Sequence, residues 1–243
     1  MKPNIKLATA STPDGGELVL YQHDRDFSIR INGHDLMNSR QHESEMGLAR
    51  LGCAHLADQP APCVLIGGLG MGYTLRKTLD MLGPDAKVVV SELIPAVVEW
   101  NREFLGEFNG HPLADKRTEV ITGDIHQLLA QSTARFDTIL LDIDNGPSAI
   151  TDSGNQKLYT PAGIQICRRA LRNQGCLAIW SSYPSKAFEQ ILMDCKFYVQ
   201  RYKLQPYKQS NKKYLFVWVA SENKANLPPD NAEAMDDKKS PLS

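Results

Sequence analysis

No apolar run in this sequence approaches the roughly 20 residues that a membrane-crossing helix needs, and Met1-Lys2-Pro3-Asn4 carries no apolar leader. The expectation is a cytoplasmic chain without a membrane partner. A dominant charge is lacking too. With 27 Lys and Arg against 28 Asp and Glu, the net charge is -1 and the pI is near 6.6, so no global basic field points to nucleic acid. Cysteines are few and unpaired in pattern. Cys53, Cys63, Cys167, Cys176 and Cys195 are odd in number, scattered, and contain no C-x-x-C, which reads as reduced packing thiols and gives no metal-ligand spacing. Internal repeats are absent as well. With 243 residues, 42% hydrophobic and 23% charged, the chain has enough apolar material for one substantial core.

What is present centres on Val64-Leu65-Ile66-Gly67-Gly68-Leu69-Gly70-Met71-Gly72-Tyr73. A buried strand ending in glycines lets the backbone turn sharply and approach a ligand with no Cβ in the way. The helix that follows offers unpaired N–H groups. By itself such a turn is also ordinary α/β connectivity. The sequence downstream adds weight. Lys87 to Ser91 is a second apolar run and ends at Glu92, where nucleoside binders place an acid on ribose hydroxyls. A third run, Thr118 to Thr122, ends at Gly123-Asp124, and a fourth, Phe136 to Leu141, ends at Asp142-Ile143-Asp144. Acids at three successive strand ends suit a nucleoside pocket, since ligands of open α/β sheets bind beyond the carboxyl ends of the strands.

Taken in order, residues 4–32 alternate as strands with turns at Asp14-Gly15-Gly16 and Asn32-Gly33, which predicts a small antiparallel sheet. Helices are expected over 43–56, 73–82, 95–108, 125–131, 159–172 and 185–194, with a further strand over 175–180. Trp100 and Phe104, four apart, read as a helix face packed on the sheet. The runs 197–203 and 214–220 form a closing antiparallel pair, and the chain after Ser221 loses its apolar pattern. The fold class predicted is α/β: a doubly wound, mainly parallel seven-stranded sheet. Residues 1–42 form an N-terminal β-strand domain, 43–220 the α/β domain, and 221–243 a disordered tail.

The order of these features resembles spermidine synthase and its relatives, aminopropyltransferases built on the fold of class I S-adenosylmethionine-dependent methyltransferases. The resemblance covers residues 17–220. It implies a donor site made of Gly67, Gly68, Gly70, Gly72, Glu92, Gly123, Asp124 and Asp142, with Asp142 and Asp144 catalytic. Leu158-Tyr159 fits the family's Leu-Phe/Tyr segment. Arg40, Gln41, Glu45, Asp144 and Tyr159 are the candidate substrate contacts. Three departures stand out. Gly70 occupies the position of an aspartate that binds the ammonium of decarboxylated S-adenosylmethionine in the family. Glu43-Ser44-Glu45 replaces the family's Tyr-His-Glu, and Ile94 stands where many relatives have an aspartate.

The chemistry implied is attack of an amine or other nucleophile on a carbon bonded to sulfonium, for which the acceptor must lose a proton and be held in line. Asp142 and Asp144 would take the proton and hold a cationic acceptor. Each acid also has a plainer role open to it: Asp124 or an acid of the fourth strand end as a helix or turn cap, Glu92 as a surface group, Arg40 as a solvated cation. Because Gly70 removes the ammonium clamp, the sequence slightly favours S-adenosylmethionine and methyl transfer. Aminopropyl transfer from decarboxylated S-adenosylmethionine to a polyamine is the alternative, and a non-catalytic nucleoside-binding protein is the second. A small-molecule acceptor is the partner expected, and a homodimer is left open.

Overall fold

The computed structural model describes residues 3–143, 147, 155–205 and 214–229. The chain opens with four antiparallel strands, β1 (Ile5–Ser11), β2 (Glu17–His23), β3 (Asp26–Ile31) and β4 (His34–Asn38), paired in sequence order. The fourth strand was not foreseen. His34-Asp35-Leu36-Met37-Asn38 is short and mostly polar, and it becomes a strand by pairing with β3, Ile29 opposite Met37.

The second sheet has the order β10-β11-β9-β8-β5-β6-β7. β5 (Cys63–Gly67), β6 (Lys87–Glu92), β7 (Thr118–Thr122), β8 (Phe136–Leu141) and β9 (Leu171–Ser181) run parallel, while β11 (Leu215–Ser221) and β10 (Tyr198–Leu204) close one edge antiparallel. The seven strands and their mainly parallel sense agree with the expectation. β5 and β8 are buried at every residue, as strands covered on both faces must be. Alternate residues face opposite layers. Val64, Ile66, Val88, Val90 and Leu140 join α1 (Glu43–Cys53), α2 (Tyr73–Met81), α3 (Pro95–Trp100) and the N-terminal sheet in one core. Leu65, Val89, Ile139 and Leu141 pack under α5 (Ile125–Ala130), α6 (Pro161–Ala170) and α7 (Lys186–Asp194).

Chain order fixes where a ligand can sit. From β5 the chain winds outward through β6 and β7, then returns to place β8 on the other side of β5. The crevice at this reversal, beyond the carboxyl ends of β5 and β8, is the binding position of such sheets. Its floor consists of Gly67-Gly68 and Asp142.

Three local expectations change. The helix expected over 159–172 begins as a 3-10 turn, Asn155–Tyr159, continues as α6, and stops at Ala170 because Leu171 is extended and pairs with Phe136. The helix over 95–108 is interrupted by a π turn, Asn101–Leu105, before α4 (Gly106–Asn109). The stretch after Ser221, expected as a tail, is described to Pro229. There Lys224–Asn226 is a 3-10 turn, Glu222 pairs with Arg168, and the Pro228 carbonyl accepts from the Tyr202 hydroxyl. All five cysteines are free and buried, and burial pushes the Cys53, Cys167 and Cys176 thiols up to about 12, so they are inert packing groups. No helix among the described residues is long and apolar enough to cross a membrane.

Candidate active site

The glycine loop is held open by its own geometry. Gly68 has φ +87°, and a Cβ there would lie 2.3 Å from the carbonyl oxygen of Asp142, so any side chain would drive the loops after β5 and β8 apart. Two backbone bonds lock the crossing: Gly68 N–H to the Ser91 carbonyl at 2.9 Å and Asp142 N–H to the Gly67 carbonyl at 2.9 Å.

Glu92, 7% exposed, ends β6 beside this loop. One carboxylate oxygen accepts the Leu69 N–H at 2.8 Å and the other the Ile94 N–H at 2.9 Å. Burial pushes its pKa up, and the surrounding backbone N–H groups pull it back. Glu92 is therefore no surface group. It ties the glycine loop to the loop after β6. Asp124 caps α5 by accepting the His126 N–H at 2.8 Å, the plainer role open to it, and Gly123 N–H is bound to the Glu92 carbonyl at 2.8 Å. The cap uses one oxygen, so a nucleoside amine can still reach the other.

Asp142 lies half-buried at the end of β8. It accepts from Thr74 Oγ1 at 2.6 Å. Its carboxyl is pushed up to about 7, first by burial and then by the nearby charge of Glu45, against the Thr74 hydrogen bond. Burial raises Glu45 as well. This carboxylate comes from α1, whose close packing on α2 brings the Glu45 carbonyl 3.4 Å from Thr74 Oγ1. Two acids distant in sequence are thus brought near Thr74, and the Glu45 charge disfavours ionisation of Asp142.

Beside them stands an aromatic group. The Tyr73 ring stacks on His42, with centroids 4.4 Å apart and planes 14° apart, and meets Phe108 edge-on at 6.1 Å. Phe27 from the N-terminal sheet meets Phe108 at 5.7 Å. The Tyr73 hydroxyl donates to the Ser39 carbonyl at 2.9 Å. Its pKa is raised by burial and by the charges of Glu45 and Asp26. Met37 of β4 covers Gly70, its sulfur 3.3 Å from where a Cβ would stand.

The remaining candidates are less central. Arg40 is committed to Asp26, Nε to Oδ2 at 2.9 Å, with its side chain 71% exposed. Gln41 is half-buried, its backbone N–H on the Asn38 carbonyl. Tyr159 packs edge-on against Phe188 at 5.8 Å and donates to the Ile143 carbonyl at 3.2 Å, the geometry of a brace for the loop after β8. Asp144 lies outside the described residues. Sequence reasoning missed Thr74, His42 and Tyr73, and their only local signal was adjacency to the glycine loop and to Glu43. A polar cavity of about 150 Å³ lined by His55, Asp137 and Asn173 lies at the opposite end of the strands and shares no residue with this crevice.

Residues 50–220 match the Spermine/spermidine synthase domain. The chain belongs to the spermine/spermidine synthase family. A family relative, the polyamine aminopropyltransferase of Saccharolobus solfataricus, is 28% identical over 131 residues, which is 54% of this chain and 42% of the relative. Another, from Oceanobacillus iheyensis, is 29% identical over 178 residues, 71% of this chain and 33% of the relative. The chain thus spans less than half the length of the curated relatives it matches. Among solved structures, the spermidine synthase of Thermotoga maritima superposes with a TM-score of 0.70 at 17% identity, over 95% of this chain and 78% of that one. A probable spermidine synthase from Corynebacterium glutamicum gives 0.66 at 18%, over 92% of this chain and 81% of the other. Both carry the same fold.

Proposed function

We propose that this chain is a polyamine aminopropyltransferase that takes decarboxylated S-adenosylmethionine as donor and a short diamine or polyamine as acceptor. The observation that carries this reading is the Asp142 carboxyl on Thr74, with the charge of Glu45 close by. A carboxyl held up to about 7 beside a second acid is relieved by a positive charge, and a polyamine supplies one. A carboxylate-bearing donor tail would be repelled by the same pair. Arg40, the cation suggested for such a tail, is occupied by Asp26. These points, with the aminopropyltransferase relatives, reverse the preference for methyl transfer drawn from Gly70 alone. The family match and the relatives give methyl transfer no support.

In this reading the glycine loop, Glu92 and Asp124 hold the nucleoside. The His42 and Tyr73 stack, with Phe108, lines the approach to the acids and offers ring faces to a cationic chain. Asp142 accepts a proton from the acceptor amine. The freed nitrogen lone pair attacks the propyl carbon bonded to sulfonium, a C–N bond forms, and the C–S bond breaks with its electron pair passing to sulfur. The products are the lengthened amine and the neutral thioether 5′-methylthioadenosine. With its pKa near 7, Asp142 is a stronger base than an ordinary carboxylate.

The test is incubation with each donor and a series of short α,ω-diamines, followed by mass spectrometry of the nucleoside product. Release of 5′-methylthioadenosine with a mass gain of one aminopropyl group on the amine supports the reading. S-adenosylhomocysteine as product would favour methyl transfer, and nucleoside binding with no product would favour a binding protein.

A further inference from the structure

The helix after β6 changes pitch at the point where it passes the glycine loop. Asn101 and Asn109 are eight residues apart. In a regular α-helix at about 100° per residue they would lie roughly 80° apart around the axis. The π turn Asn101–Leu105 inserts about one extra residue, which brings both side chains onto one face. That face meets the apex of the glycine loop.

There, Asn101 Nδ2 donates to the Gly70 carbonyl at 2.8 Å and to the Val97 carbonyl at 2.9 Å, and Asn109 Nδ2 donates to the Met71 carbonyl at 2.6 Å. The two asparagines are 3% and 7% exposed. A Cβ on Gly72 would come within 2.6 Å of Asn109 Nδ2 and 3.0 Å of Asn101 Oδ1, so the loop rests directly on the amides. Asn109 Oδ1 is buried without a hydrogen-bond partner. Turning the amide over would set that oxygen against the Met71 carbonyl, so the orphan acceptor is the consequence of keeping the donor where it is. A buried unsatisfied group calls for such a reason.

We propose that Asn101 and Asn109 are positioning residues for the nucleoside donor, forming an amide clamp that fixes the glycine loop from the side away from the ligand. In a planar trans peptide the C=O and the following N–H point in opposite directions. Holding the Gly70 carbonyl toward the helix therefore turns the Met71 N–H away from the helix. The clamp sets that direction before the donor arrives, so ordering the loop takes less from the binding free energy. This inference rests on the proposed donor site.

The test uses Asn101→Ala and Asn109→Ala, with the serine variants at both positions as alternatives, and Glu92→Gln as control. Affinity for 5′-methylthioadenosine is measured by calorimetry, the KM for donor and for diamine by product release, and melting temperature alongside. Each clamp variant should weaken the nucleoside about tenfold and raise the donor KM, leaving the diamine KM within about twofold. A purely structural role would lower melting temperature without that split. If wild type binds the nucleoside, Glu92→Gln weakens it, and folded clamp variants bind as wild type does, the clamp is overturned and the site stands. If wild type does not bind it, the donor site itself fails. If none of the four variants folds, the asparagines are structural and the proposal falls.

Discussion

Replacing Thr74 by valine should move the pH dependence of turnover rather than abolish turnover. Thr74 is 2% exposed and its hydroxyl donates to Asp142 Oδ2 at 2.6 Å. That bond opposes burial and the Glu45 charge, which together hold Asp142 at about 7. A hydrogen bond to a charged group contributes about 1.5–3 kcal/mol, and about 1.4 kcal/mol corresponds to one pKa unit. Its loss should raise the carboxyl by about one to two units, to roughly 8–9. At pH 7.5 the ionised fraction would fall from about three quarters to between about a quarter and a few per cent. Since only the ionised form accepts a proton, kcat/KM for the acceptor should drop about 3- to 25-fold there. The deficit should disappear as pH rises past the new pKa. Thr74→Ser keeps the hydroxyl and should follow wild type. The assay is 5′-methylthioadenosine release across pH 6–10 for all three proteins. A valine-to-wild-type ratio that is flat with pH would refute the reasoning, because it would mean that the hydroxyl does not act through the charge on Asp142.

Asp142→Asn should keep nucleoside affinity and lose turnover, and near wild-type turnover would move the base to another residue, Asp144 first. The same variant tests a stability effect. The folded pKa of Asp142 is raised, so its contribution is fully present below its unfolded value near 3.8 and is lost as pH rises through about 7. The ligand-free protein should therefore melt higher at pH 5 than at pH 8, and Asp142→Asn should shrink that difference; an unchanged difference would assign it to other groups. Glu92→Gln should weaken nucleoside binding by about 1–3 kcal/mol and lower melting temperature, because both oxygens accept backbone N–H groups and an amide nitrogen can accept from neither; unchanged calorimetric affinity would remove Glu92 from the site. Gly70→Asp should shift binding toward the decarboxylated donor over S-adenosylmethionine, at a cost of about 1 kcal/mol for a left-handed residue at φ +52°. The Met37 thioether must yield slightly to admit the new Cβ, and an unaltered donor ratio in titrations would separate residue 70 from donor choice.

Much of the architecture was legible in the chain because it rests on local signals. Apolar runs of strand length marked β5, β6, β7 and β8, and the placement of Gly67 to Gly72, Glu92, Gly123-Asp124 and Asp142 at their ends follows from the runs themselves. β4 and the start of β9 were not legible, because His34 to Asn38 and Leu171 become extended only through the strands beside them. The pairing of Glu45 with Asp142 is of the same kind. No pattern in either segment encodes it. It arises because β8 returns to lie next to β5, and because α1 packs on the helix that leaves the glycine loop. Burial there, and then the Glu45 charge, raises Asp142 toward neutrality, while Asp26 takes up Arg40. The sequence by itself determined which groups stand at the mouth of the sheet. Which of them lie close enough to shift one another's charge was decided by strand order and helix packing, since electrostatic coupling depends on distance in space and not along the chain.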